Sequence, residues 1–262
     1  MCSTDSFIEV AVAGPKSFFS SKDISKFKDL LGDGNNFGIK LSYKIQPKPE
    51  GIAQAFIIAQ EFIGSDSVTL ILGDNIFYGA GQFNKAFADH EAGAMVFAYR
   101  VNDPTRYGVV EFGDDGKVIS IEEKPKLPKS SYAVPGLYLF DSRVTEYAIK
   151  LKPSARGELE ITDLIARYLE AGQLNVQVLR RGVAWLDSGT SQSLHESAAF
   201  VQTMEKRQGI KMGCPEEAAL VAGLISLGEF DSGIDGLPDC EYKDYLREIS
   251  MENHRPSKQS LS

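Results

Sequence analysis

The chain has 262 residues, with 28 basic and 36 acidic side chains giving a formal net charge of −8. At 43% hydrophobic and 10% aromatic, it has enough apolar mass to bury a sizeable core, which excludes a disordered chain. The acidic balance weighs against a polynucleotide scaffold, and no apolar run approaches the roughly 18 residues of a membrane span. The N-terminus shows no basic patch followed by an apolar run, so no signal peptide is expected. Cys2, Cys214 and Cys240, an odd and scattered set, argue against a disulfide framework and for a reducing, cytoplasmic setting. His90, His195 and His254 do not stand at zinc-ligand spacing.

In chain order, residues 21–31 place Ile24, Phe27, Leu30 and Leu31 at helical spacing and stop at Gly32. A second helix is expected over 53–63, carrying Phe56, Ile57 and Phe62 and ending at Gly64. Residues 68–72, an apolar run bounded by Gly73-Asp74, read as a strand covered on both faces. A strand follows at 94–101. Residues 108–112 and 118–122 read as a hairpin turned by Asp114-Asp115-Gly116. Strands at 137–140 and 176–179 flank a helix over 159–171, and another helix over 194–207 ends at Gly209. Residues 215–226 are expected to be helical, with Pro215 in the first turn and Glu216 and Glu217 against the dipole. The stretch 228–239, rich in Gly and Asp, reads as a loop before a short helix over 242–249. The last dozen residues are polar and expected to fray. Strands interleaved with helices predict an α/β layer fold with a largely parallel sheet.

Four segments are candidates for chemistry. Leu72-Gly73-Asp74-Asn75 puts a carboxylate directly after the most apolar strand, where open α/β sheets bind ligands and a hard cation is held. A capping turn is the better explanation of that tetrapeptide taken alone. Trp185-Leu186-Asp187-Ser188-Gly189-Thr190 repeats the pattern before a helix, and spacing alone does not bring Asp187 to Asp74. Gln46-Pro47-Lys48-Pro49-Glu50-Gly51 is a stiffened loop whose glycine allows close backbone approach to a ligand, or a simple turn. Glu122-Glu123-Lys124-Pro125 offers a carboxylate for a sugar hydroxyl and a lysine for a phosphate, or only surface charge. Arg106-Tyr107-Gly108 and the segment 156–163 say little in isolation. No Walker loop, nucleophile elbow or kinase signature is present.

Taken together, LLGDG (30–34), QPKPEGIAQAF (46–56), LILGDNIFYG (70–79), DPTRYGVVEF (103–112), SIEEKP (120–125), YAVPGLY (132–138), LKPSARGELEITD (151–163), AWLDSGT (184–190) and RQGIKMGCPEE (207–217) resemble the sugar-1-phosphate nucleotidylyltransferases. The resemblance is closest to their glucose-1-phosphate thymidylyltransferase branch and runs from about residue 8 to about residue 217. It implies a Rossmann-like α/β domain over residues 1–208, a helical C-terminal region over 209–262, and a homo-oligomer, a tetramer. The implied substrates are dTTP and glucose 1-phosphate, giving dTDP-glucose for dTDP-rhamnose formation with Mg²⁺ as cofactor, without nucleic acid or membrane partners. By the same resemblance Gln46 and Gly51 read the thymine base, Asp74 and Asp187 hold Mg²⁺, and Tyr107 and Gly108 line the sugar pocket. Glu123 then bonds glucose hydroxyls, Lys124 meets the sugar phosphate, and Val134, Tyr138 and Trp185 complete the wall.

The family's opening strand and its Gly-Gly-x-Gly-Thr-Arg loop find no match before Leu30, so the domain is expected to be N-terminally incomplete. Residues 7–14 resemble a later strand of the family. Gly14-Pro15-Lys16 and Gly79-Ala80-Gly81 are the segments left to approach a phosphate. A catalytically inactive sugar-nucleotide-binding or assembly homologue, and a uridylyl or cytidylyl enzyme, are the alternative functions.

Overall fold

The computed structural model describes residues 9–12, 23–79 and 81–255. In chain order come β1 (Glu9–Val12), α1 (Asp23–Leu31), β2 (Lys40–Tyr43), α2 (Gln54–Ile58), α3 (Gln60–Ile63), β3 (Val68–Ile71), β4 (Asn75–Tyr78), α4 (Gly81–Asp89), β5 (Ala94–Arg100), β6 (Gly108–Phe112) and β7 (Val118–Glu123). They are followed by β8 (Tyr132–Ala133), β9 (Leu137–Phe140), α5 (Val144–Ile149), α6 (Ile161–Glu170), β10 (Leu174–Val178), β11 (Ala184–Asp187), α7 (Ser191–Gln208), α8 (Pro215–Val221), α9 (Leu227–Asp235) and α10 (Glu241–His254). Cys2, Lys16, Ala80 and the tail from 256 lie outside the described residues, as do residues 7, 8, 13 and 14 of the expected strand, whose middle is β1.

Two compact units divide the chain. The larger covers described residues 46–197 and is built on a sheet of order β3-β9-β5-β8-β6-β7, with β10 also on β5. β5 and β9 are buried along most of their length, and alternation at period two sends their side chains to opposite faces. Ala94, Val96, Tyr138 and Phe140 join Phe56, Leu164, Ile165 and Tyr168 on one face. Met95, Phe97, Leu137 and Leu139 join Phe83, Leu179 and Val183 on the other. Helix α6 shows the matching helical period, burying Ile161, Leu164, Ile165 and Tyr168 while Asp163, Arg167 and Glu170 face water.

A buried carboxylate anchors this core. Asp141 accepts from Tyr168 Oη at 3.0 Å, from Gly93 N at 2.8 Å and from Arg143 Nε at 3.0 Å. Burial acts to raise its pKa, but these hydrogen bonds outweigh it and hold the carboxyl below its ordinary value.

The smaller unit takes in described residues 9–12, 23–45 and 198–255. It holds the parallel pair β1·β2 and a separate core in which Phe37, Cys214, Phe230, Ile234, Tyr245 and Leu246 meet. Tyr245 Oη donates to Glu217 at 2.5 Å, and the Tyr242 hydroxyl bonds Glu216. Cys214 and Cys240 are free thiols.

The mixed α/β class is as expected, with several corrections. Among the described strands of the larger sheet only β5·β10 is a parallel pair, because β9 runs antiparallel between β3 and β5. β3 is covered on one face, not two: Val68 and Leu70 pack inward, whereas Ile71 is 56% exposed on the outer face of an edge strand. The expected helix over 53–63 is two pieces divided at Ala59, and α8 stops at Val221. The stretch read as a loop over 228–239 is mostly α9, started by a capping box in which Ser226 and Glu229 satisfy each other's backbone N–H.

Candidate active site

The site grows from the carboxyl end of β3. Asn75 N donates to Leu72 O at 3.0 Å, a turn that places Asp74 at the start of β4. β4 pairs antiparallel with β11, in register Asn75 to Asp187, which closes the long sequence gap between the two acidic segments. Ser188 secures the junction, donating from N and from Oγ to Asp74 O, each at 2.8 Å.

Asp74 and Asp187 converge. A Cβ on Gly189 would lie 3.1 Å from Asp187 Oδ1 and 3.3 Å from Asp74 Oδ2, so both carboxylates border one small space that glycine leaves clear. Two hard oxygen donors around an open space suit a divalent cation such as Mg²⁺. Such an ion takes one or two carboxylates and completes its shell with water and phosphate. No cluster of three or more acidic, His or Cys ligands occurs among the described residues.

Asn75 links this pair to the pocket wall. Its Nδ2 donates to Asp74 Oδ1 at 2.7 Å, and its Oδ1 accepts from Trp185 Nε1 at 2.7 Å and Gly136 N at 2.9 Å. Trp185 in turn meets the Tyr107 ring at a centroid distance of 5.0 Å.

The second wall is the β6/β7 hairpin. Gly108 lies opposite Glu123 in register, Lys124 N donates to Tyr107 O at 3.0 Å, and Val134 N donates to Gly108 O at 2.8 Å. Lys124 has φ 43°, the one positive φ outside glycine among the described residues. That strain costs about 1 kcal/mol or more and persists where surrounding contacts fix a side chain's direction. Glu123 accepts from Thr162 Oγ1 at 3.2 Å and from Arg156 Nη1 at 3.4 Å, with Lys124 Nζ 3.7 Å away. Burial first, and then the neighbouring Glu160, push its carboxyl above the ordinary value despite those cations. Burial and then the charges of Glu123 and Asp74 keep the Tyr138 phenol protonated far past neutrality, so it remains a neutral hydroxyl.

These walls enclose a cavity of about 560 Å³. It is lined by Asp74, Tyr107, Gly108, Glu123, Lys124, Val134, Tyr138, Trp185 and Asp187, all expected from sequence. Gln46 and Gly51 are not in that lining, although the adjacent Ile52 is. Gln46 Nε2 donates to Gln54 Oε1 at 2.6 Å and to Gly51 O at 3.3 Å. Gly51, at φ 110°, passes so close to Leu159 that a Cβ would fall 2.3 Å from its carbonyl oxygen. The sequence did not single out Asn75, Thr162 or Gly189 as contributors, although each stands inside a quoted motif. Arg106 and Arg156 stood in segments mute by themselves; Arg106 lines the cavity, and Arg156 lies among Glu123, Glu158 and Glu160.

The nucleotidyl transferase family profile matches residues 13–204, and the chain belongs to that family. A glucose-1-phosphate thymidylyltransferase of Neisseria meningitidis is 53% identical over 227 residues, 86% of this chain and 79% of that one. One from Mycolicibacterium smegmatis is 52% identical over 228 residues, covering 87% and 79%. A Bacillus anthracis structure described as a glucose-1-phosphate thymidylyltransferase superposes with a TM-score of 0.65 at 40% identity, covering 78% of each chain. A UDP-glucose pyrophosphorylase structure at 18% identity and TM-score 0.61, covering 74% of this chain and 81% of that one, shares the fold.

Proposed function

We propose that this nucleotidyl transferase moves the thymidylyl group of dTTP to glucose 1-phosphate, giving dTDP-glucose and pyrophosphate, the first step towards dTDP-rhamnose. The observation that carries the reading is the meeting of Asp74 and Asp187 at a cavity that also presents Lys124 and Glu123. It agrees with the thymidylyltransferase relatives at about half identity across most of the chain.

In this reading a phosphate oxygen of glucose 1-phosphate attacks the α-phosphorus of dTTP in line, and pyrophosphate leaves. Lys124 binds the sugar phosphate, Glu123 accepts from glucose hydroxyls, and Tyr107, Gly108, Val134, Tyr138 and Trp185 shape the sugar's place. Gln46 and Gly51 read the thymine, for which the Gln46 amide exchanges Gln54 for the base. Asp74 and Asp187 hold the divalent metal, assigned as Mg²⁺, which supplies neutralisation of charge on the triphosphate. Positioning and electrostatics do most of the work in such transfers, so no protein nucleophile is required. Transfer is assigned to residues 1–208 and a separate role to the helical region 209–262. Assembly as a homotetramer and a cytoplasmic location belong to the same reading. No described helix is long and apolar enough to cross a membrane.

The test is pyrophosphate release from dTTP, glucose 1-phosphate and Mg²⁺ by the purified chain beside Asp74→Asn, with UTP as a competitor. Release that the substitution abolishes, and that dTTP supports better than UTP, is the expected result. A folded chain that binds dTDP-glucose but releases no pyrophosphate would replace it with the sugar-nucleotide-binding reading.

A further inference from the structure

The cavity holds a permanent cation beside its carboxylate pair, and the transfer chemistry above gives it no role. Arg106 ends a 3-10 turn, Pro104–Arg106, whose backbone is pinned. Asp103 Oδ1 accepts from Thr105 N at 3.1 Å and from Thr105 Oγ1 at 2.6 Å. From this base the guanidinium reaches Asp187, with Nη2 3.3 Å from Oδ2, and lies 5.5 Å from the centroid of the Tyr107 ring. Asp187 is held from the other side as well, since its Oδ1 accepts from Gly189 N at 3.1 Å. The Arg106 side chain is 44% exposed and that of Asp187 17%. The carboxylate is therefore the fixed partner and the long arginine stem the movable one.

We propose that Arg106 couples metal loading to phosphate loading. With the cavity empty of ligand, its charge neutralises Asp187 and opposes a dication between Asp74 and Asp187, because like charges a few ångströms apart repel strongly at a half-buried site. A phosphate offers the guanidinium a two-pronged, charge-assisted partner that outcompetes a single 3.3 Å contact. Transfer of Arg106 to phosphate oxygens then returns Asp187 to the ion. Each ligand thus raises the affinity for the other, as linkage requires. The result is a site that binds bare metal weakly and metal with nucleotide tightly. This inference rests on the assignment of Asp74 and Asp187 as metal carboxylates.

The experiment follows Mn²⁺ binding by the electron paramagnetic resonance of the free ion, without turnover. The wild-type chain, Arg106→Gln, Arg106→Lys and Asp187→Asn are compared. Each is titrated alone and with an αβ-methylene analogue of dTTP, corrected for the ion the analogue binds by itself. Arg106→Gln is expected to bind Mn²⁺ alone about tenfold tighter than wild type and to gain much less from the analogue. Arg106→Lys, which keeps a point charge, should fall between. Arg106→Gln that binds bare Mn²⁺ no tighter than wild type overturns the proposal. Mn²⁺ binding unchanged by Asp187→Asn would instead overturn the metal-pair reading beneath it. Unaltered melting temperatures show that the variants remain folded.

Discussion

Glu123 is where pH acts most directly on the cavity. Burial, then Glu160, raises its folded pKa above the ordinary 4.5. The carboxylate that accepts sugar hydroxyls is therefore lost, as pH falls, earlier than at an exposed glutamate. KM for glucose 1-phosphate is expected to climb through that raised value, while Glu123→Gln shows a high KM with no such titration. A wild-type KM that stays flat down to about pH 4.5 would refute the assignment. For stability the sign is opposite. The folded state keeps this proton longer than the unfolded chain, so Glu123 costs stability as pH rises from 4.5 through its folded pKa. At this scale the sequence was informative where a contiguous motif named the residue, as with Glu123 and Lys124, even though the Glu123 partners Thr162 and Arg156 come from elsewhere in the chain. It quoted Arg106 and Asn75 inside their segments without giving either its contact, because the partners Asp187 and Trp185 stand far along the chain.

At the scale of elements, Asp141 joins three of them. It directly follows β9, accepts from Tyr168 on α6 and from Gly93 just before β5, and pairs with Arg143. Asp141→Asn removes the charge that these donors surround, and the expected cost is about 2–4 kcal/mol in urea unfolding. A loss under about 0.5 kcal/mol would show that the network is not stabilising. Because its folded pKa lies below the ordinary 3.8, the stability it contributes is present above that value and lost as pH falls through the folded pKa. The hairpin β6/β7 and helix α6 were readable in advance, since turn residues and helical period are local signals. β4 and β11 were not predicted as strands: each is four residues long and is a strand through pairing with the other. α9 was hidden for a different reason. Its glycines and aspartates favour turns, and burial of Phe230 and Ile234 together with the Ser226–Glu229 cap overrides that preference.

Across the whole molecule, two separate cores imply separable stability. Leu246 is fully buried in the core of the helical unit, whereas β5 and β9 lie in the larger one. Leu246→Ala should cost about 2–5 kcal/mol locally. Amide exchange in α9 and α10 should then accelerate by tenfold or more while β5 and β9 keep their protection. Uniform acceleration would show one cooperative unit instead.

The sequence by itself determined the α/β class, the apolar central strands, the family and half of the residues that line the cavity, because each of these is written in composition, period or contiguous motif. Tertiary structure alone decided that Asp74 and Asp187 share one space, that β3 ends the sheet among the described strands with Ile71 exposed, and that residues 23–45 pack with the C-terminal helices. Those outcomes depend on pairing and burial between distant segments. The free energy of such contacts belongs to the folded chain, and no local stretch of sequence carries it.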